Sequence, residues 1–213
     1  MSPELLPPIA ELRRVTQSLA MLDAILSPEW AFRYYSFNSQ WGDRQEMASM
    51  RNGAGDEWFL LLDSVGGAIK GFAHELATDP AFAQAIPSQV PKDFSSFLGE
   101  PAFSMQDATF CYWRAANAAH WSKAAGAAGD DGSDELLALL TSGPSGYKAW
   151  ADGYYEMEVP LEAVTQIYAH QPLTDAMVLA LDPAADLASV YADADEIGYP
   201  CALRGEARVM QGR

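Results

Sequence analysis

Residues 47–75 read MASMRNGAGDEWFLLLDSVGGAIKGFAHE, strand-forming runs broken twice by glycine-bearing loops. The fold turns on what those glycines do. A phosphate-binding glycine loop leads into a helix, whose first amides and dipole hold the anion. Asn52-Gly53-Ala54-Gly55-Asp56 leads instead into Glu57, Trp58 and Phe59, with two carboxylates where phosphate charge would sit. Ser64-Val65-Gly66-Gly67 joins the next two strand-like runs, and neither loop carries the lysine and hydroxyl of a P-loop. Glycine's tolerance of positive φ accounts for both as hairpin turns. The runs QEMASMR (45–51), EWFLLLD (57–63) and GAIKGFAH (67–74) are therefore read as consecutive antiparallel strands. The middle one lacks clean alternation, which predicts a strand covered on both faces.

Working upstream, AFRYYSFN (31–38) supplies a strand before these three. Residues 9–27 carry Ile9, Leu12, Val15, Leu19, Leu22 and Leu26 at three- and four-residue steps, one apolar helical stripe ended by Pro28. Downstream, ATDPAFAQAIPSQVP (77–91) reads as a proline-rich connection and PKDFSSFLG (91–99) as a short helix. TFCYWR (109–114) reads as a fifth strand, with Cys111 and Trp113 on one side and Phe110 and Tyr112 on the other. The small, polar stretch at 124–134 is the expected flexible connection, followed by helices alone. DELLALLTSGP closes on Gly143-Pro144; Tyr147, Trp150, Ala151 and Tyr154 form a stripe; Pro160 and Thr174 open two more helices; and the last ends at Gly198. The expected architecture is α+β. An antiparallel meander backed by helices occupies 1–123, a small acidic all-helical lobe packs on it over 135–200, and 201–213 is a tail.

A chain of 213 residues that is 49% hydrophobic can bury a core without disulfide or metal. No apolar run approaches the roughly 20 residues a membrane-crossing helix needs. The first residues, MSPELLPPIAELRR, lack the order of basic start, apolar run and cleavage site of a secretion signal. Cys111 and Cys201 are unpatterned and read as free thiols, so a cytoplasmic location is expected. The net charge of −16 is unevenly placed: ten acids and no Lys or Arg lie between Ala149 and Leu203. Such a surface repels a phosphate backbone and excludes direct nucleic-acid binding. It is either a solvated face or a docking surface for a basic protein.

The blocks AMLDAILSPEWAFRYYSFNSQW, MASMRNGAGDEWF, AIKGFAHE, VPKDFSSFLGEPAF, TFCYWR and IGYP resemble a family of bacterial cytosolic proteins without assigned activity, over most of residues 15–200. VPKDFSSFLG is also similar to the proline-led helix of SUKH immunity proteins, which place that helix before the sheet rather than after it. Neither resemblance implies a catalytic residue or a cofactor.

Candidate chemistry is sparse. His74, His120 and His170 are far apart, and His74-Glu75 with Asp79 is too thin a ligand set to predict a metal. Cys111 lies mid-strand among aromatics, where inert thiols reside. DDGSDE (130–135) lacks the twelfth-position glutamate of a calcium loop, since Thr141 stands there. No cofactor is expected. The aromatics Trp30, Phe32, Tyr34, Tyr35, Phe37 and Trp41 read first as packing. Their functional version is a pocket beside the sheet with Arg51, Lys70, His74 and Glu75 at its mouth, serving a small ligand or a small enzyme. The reading placed ahead of it is a non-catalytic interaction protein, of the immunity type, that meets a basic partner through exposed acids such as Glu156, Glu162, Asp186 and Asp193.

Overall fold

The structure is a computed structural model and describes residues 1–76, 80–126 and 129–202. Its elements in chain order are α1 (Ile9–Leu26), β1 (Tyr35–Gly42), β2 (Gln45–Arg51), β3 (Glu57–Leu62), β4 (Gly66–Phe72), α2 (Pro80–Gln89), α3 (Ser95–Leu98), β5 (Phe110–Ala115), β6 (Ser122–Lys123), α4 (Ser133–Leu136), α5 (Gly143–Tyr154), α6 (Leu161–Tyr168), α7 (Asp175–Leu181) and α8 (Leu187–Ile197). The six strands form one antiparallel sheet in the order β1-β2-β3-β4-β5-β6, so every strand pairs with its neighbours in sequence. The protein is α+β, and no helix among the described residues is long and apolar enough to cross a membrane.

Both loops of the deciding stretch are hairpin turns. In the first, Gly53 and Gly55 take φ of 74° and 121°. Asn52 Oδ1 fixes the loop by accepting the amides of Ala54, Gly55 and Asp56 at 2.9, 3.1 and 3.0 Å. In the second, Asp63 Oδ1 accepts the amides of Val65 and Gly66, and a Cβ on Gly66 would stand 2.1 Å from the Arg114 carbonyl oxygen.

Strand β3 is covered on both faces, as its lost alternation requires. Trp58, Leu60 and Leu62 enter a core shared with α1 and the helices after residue 135, through residues such as Leu19, Leu22, Tyr147, Val164 and Val178. Phe59 and Leu61 enter a second core capped by Phe82, Ile86, Val90, Phe94, Phe97 and Phe103. Burying each such side chain contributes roughly 1.5–3 kcal/mol, so a layer on each face accounts for the central position of this strand. The two sides of β5 divide as the sequence implies, Phe110 and Tyr112 into the first core, Cys111 and Trp113 toward the second.

Four local readings change. Residues 80–89 form helix α2: Phe82, Ala83 and Ile86 make a buried stripe, Pro80 is preorganised for a helix start, and Pro87 lies in the last turn, where it withholds an amide from the helix. The run from Ala31 begins as a 3₁₀ turn, Trp30–Phe32, and extends only from Tyr35. Arg33 pins that turn by donating to the carbonyls of Ser27 and Pro28. Gly143 and Pro144 open α5 instead of closing the segment before it. Finally, β6 adds a two-residue edge that the polar pair Ser122-Lys123 did not announce. Part of the expected flexible connection, 127–128, lies outside the described residues. Next to it, Asp131 is tied to Lys123 Nζ at 2.6 Å and accepts the Ser133 hydroxyl and amide.

Candidate functional site

The end of the sheet gathers the polar residues singled out beside it. Arg51 closes β2 opposite Glu57 on β3, and Glu57 lies opposite Phe72 on β4, so the three share one face. Lys70 projects from that face and is fully buried, with Nζ 2.8 Å from Glu57 Oε1 and 5.8 and 5.5 Å from the rings of Phe59 and Phe72. The Arg51 guanidinium stacks 4.8 Å over Trp30. His74 donates its amide to Asp56 Oδ1 at 2.8 Å, and its Nδ1 lies at the same distance from that oxygen. Asp56 also accepts the Asn52 side-chain amide at 2.6 Å, and these bonds hold its carboxyl below the usual range against the opposing effect of burial. Glu75 Oε1 stands 4.0 Å from His74 Nε2. Arg51, Lys70, His74 and Glu75 are thus brought to one end of the sheet. Arg51, Lys70 and His74 are already engaged by Trp30, Glu57 and Asp56 respectively. Asp79 lies outside the described residues, and among those described no cluster of three or more His, Cys, Asp or Glu is placed to hold a metal. Cys111 is buried with its thiol pushed up to about 12 by desolvation, which leaves it protonated.

Four of the six aromatics serve packing, whereas Trp30 and Phe32 are exposed. Tyr35 and Phe37 are core residues, and Trp41 packs on the second core. Tyr34 meets Trp150 and Tyr154 at ring separations of 4.9 and 5.2 Å, and Trp150 stacks on Tyr154 at 4.9 Å. This stack carries the chain out of α5 into an exposed stretch of different character. In YYEMEVPLE (154–162), Tyr154, Met157 and Leu161 are 44%, 40% and 41% exposed and alternate with exposed Glu156, Glu158 and Glu162. Beyond it, α6 and α7 enclose a groove of about 700 Å³ lined by Pro160, Glu162, Ala163, Gln166, Gln171, Pro172, Thr174, Ala176, Met177 and Ala180. Among its lining residues there is one carboxylate and no Lys or Arg.

The four acids named from sequence divide in two. Glu156 and Glu162 are exposed and make no ion pair among the described residues. Asp186, though exposed, caps α8 by accepting the Ala188 amide at 3.0 Å. Asp193 is committed to Arg33, whose Nη1 and Nη2 donate to its two carboxylate oxygens at 3.0 and 2.8 Å. The Arg33 side chain is only 7% exposed, so this pair is a structural clamp between α8 and the entry to β1.

One titratable group was not visible from sequence as a site of interest. Asp23 is fully buried on α1 and accepts the Tyr35 amide at 2.7 Å and the Tyr155 hydroxyl at 2.9 Å, with the Tyr147 hydroxyl at 3.4 Å. Desolvation raises its carboxyl to about 6 although the hydrogen bonds oppose that rise. The signal was an aspartate at a core-facing step of the stripe, between Leu19 and Leu26. Tyr155 precedes Glu156 directly, so Asp23 anchors the start of the exposed acidic stretch.

The chain matches no protein-family model, no curated protein and no solved structure.

Proposed function

We propose that this is a non-catalytic interaction protein of the bacterial cytosol that binds a basic protein partner, in the manner of an immunity protein, through its acidic helical face. The observation that carries this reading is the stretch 154–162, where exposed Tyr154, Met157 and Leu161 alternate with exposed Glu156, Glu158 and Glu162, which make no ion pair among the described residues. Apolar anchors within a rim of one charge are the composition of a docking surface, where the anchors supply affinity and the charge supplies steering and selection. The absence of Lys or Arg between Ala149 and Leu203 favours a partner of positive charge. The competing reading, a small ligand bound at the sheet end, is weakened because Lys70, Arg51 and His74 have internal partners already.

The test is binding of partners from native lysate to the wild-type chain and to two variants, with each bound protein identified and its isoelectric point noted. One variant reverses charge (E156K/E158K/E162K), and the other removes anchors (Met157→Ala with Leu161→Ala). A basic protein that is held by wild type, lost from both variants and released by salt supports the reading. Binding that survives both variants refutes it.

A further inference from the structure

The groove between α6 and α7 begins where the exposed acidic stretch ends, since Pro160 and Glu162 belong both to that stretch and to the groove wall. We infer that this groove seats an extended segment of the basic partner. Gln166 and Gln171 hold the segment along its main chain, and Glu162 meets a Lys or Arg side chain on it. The inference rests on the docking reading above.

The two glutamines are the first ground. Both line the groove, and their side chains make no hydrogen bond among the described residues. Gln171 donates its amide to the Gln166 carbonyl at 3.2 Å, so the turn that ends α6 carries the pair on one fixed piece of backbone. A carboxamide offers donors and an acceptor together, as a peptide unit does, and so answers both the N–H and the C=O of an extended chain. A helical segment has spent those groups on its own hydrogen bonds. Main-chain bonds of this kind give an extended peptide its affinity, while its side chains give specificity.

Size and lining are the second ground. A volume of about 700 Å³ falls within the ~300–1,000 Å³ of ligand clefts. Helix α6, eight residues long, measures about 12 Å at ~1.5 Å per residue, a distance that an extended chain covers in about four residues. Ala163 and Met177, 4% and 7% exposed, lie at the floor, and Ala176 and Ala180 are small enough for a backbone to approach closely. Alternate side chains of the segment would then face this floor and the water above it.

Charge is the third ground. Glu162 is exposed and makes no ion pair among the described residues, and no Lys or Arg lines the groove. Asp175, beside Thr174, already accepts the Tyr191 hydroxyl at 2.9 Å, so Glu162 is the wall's carboxylate for a cation. A wall of this charge repels an acidic segment and accepts a basic one.

The experiment titrates the full chain, ¹⁵N-labelled, with the peptide Ac-AVRVA-NH2, whose valines favour the extended form. At about millimolar peptide the amide resonances of Gln166, Thr174 and Met177 should move. Q166A/Q171A should weaken binding about tenfold, and so should N-methylation of the peptide's valines, each as expected for two lost hydrogen bonds. Ac-AVEVA-NH2 should bind wild type more weakly than Ac-AVRVA-NH2, with the difference vanishing in E162Q and in about 0.5 M salt. Unchanged affinity for Q166A/Q171A or for the N-methylated peptide overturns the main-chain pairing. Equal binding of the two peptides to wild type overturns the role of Glu162. Shifts confined to 154–162, or none at all, overturn the groove as the seat. The docking reading is judged apart from this, by whether the variant with Met157→Ala and Leu161→Ala, which keeps both glutamines, loses its basic partner from lysate.

Discussion

Asp23→Asn removes a buried carboxylate that titrates near neutrality, and its effect can be worked out from its surroundings. In the unfolded chain an aspartate has a pKa near 3.9. In the folded protein burial among Tyr35, Tyr147, Tyr155, Tyr34 and Tyr168 lifts Asp23 to about 6. Because the folded value is the higher, the folded state holds a proton that the unfolded state has released between about pH 4 and pH 6. The stabilisation from that proton is complete below about pH 4, falls as pH rises, and is gone above about pH 6. A shift of about two units corresponds to roughly 3 kcal/mol. Asparagine does not titrate, so wild-type stability minus D23N stability should drop by about that much between pH 4 and pH 7. Asp56 and Asp131, whose carboxyls are held low by their partners, work in the opposite direction as acid is added, but both are present in both proteins and cancel in the difference. Urea unfolding of the two proteins at pH 4, 5, 6 and 7 measures it. At a slope of about 2 kcal/mol per molar, the gap between midpoints should change by more than about 1 M. Midpoints that run parallel across the range would show that the carboxylate is not desolvated, and the argument for its place beneath Tyr155 would fail.

Reversing Asp193 to Lys should strand the nearly buried Arg33 and cost roughly 3 kcal/mol, a melting point lower by about 6–12 °C, whereas E156K/E162K should move it by a degree or two. Equal shifts in thermal scans of the two would remove the distinction drawn between clamped and free acids. Glu57→Ala leaves Lys70 buried and unpaired and should cost about 3 kcal/mol, but Lys70→Met, which fits an apolar side chain between Phe59 and Phe72, should be near neutral. Denaturant midpoints that fall equally would place Lys70 in contact with water. Tyr168→Phe deletes a buried hydroxyl that has no hydrogen-bond partner among the described residues and should stabilise by about 1 kcal/mol. Tyr155→Phe at pH 7 should instead cost roughly 1.5–3 kcal/mol, because it takes a donor from the Asp23 carboxylate, and a stable Y155F with an unstable Y168F in urea titrations would invert both assignments.

What the sequence made legible was whatever depends on neighbours in the chain. The meander needed only hairpin loops and the periods of their flanks, and the helix ends needed only caps, as at Thr174, whose hydroxyl accepts the Met177 amide at 3.3 Å, and Gly198, at φ 69°. Helix α2 was hidden because its prolines resemble loop punctuation, while its stripe of Phe82, Ala83 and Ile86 is short. The site was less legible, for a physical reason. Which acids are free depends on pairs made across the fold: Arg33 and Asp193 are 160 residues apart, and Asp23 and Tyr155 are 132 apart. No local pattern encodes those pairings. The partial signal was Asp23, a single polar residue at a step that the α1 stripe reserves for apolar ones.

Those long-range pairs also account for how the charge is distributed. Arg13, Arg33, Lys70, Lys123 and Lys148 each pair with an acid, and all precede residue 149. Arg14 and Arg114 donate to the carbonyls of Ala169 and Ala118, so much of the basic charge is used to tie elements together. After Lys148 the described chain supplies no further Lys or Arg, and its acids are compensated only where Lys148 reaches Asp152 and Arg33 reaches Asp193. A requirement for solubility constrains net charge but not its position, so it would be met as well by acids scattered over the surface. Nor does it account for Tyr154, Met157 and Leu161, which are exposed among the carboxylates where solubility alone favours polar residues. Segregated charge and exposed apolar anchors in the same nine residues are what the proposed docking of a basic partner would use.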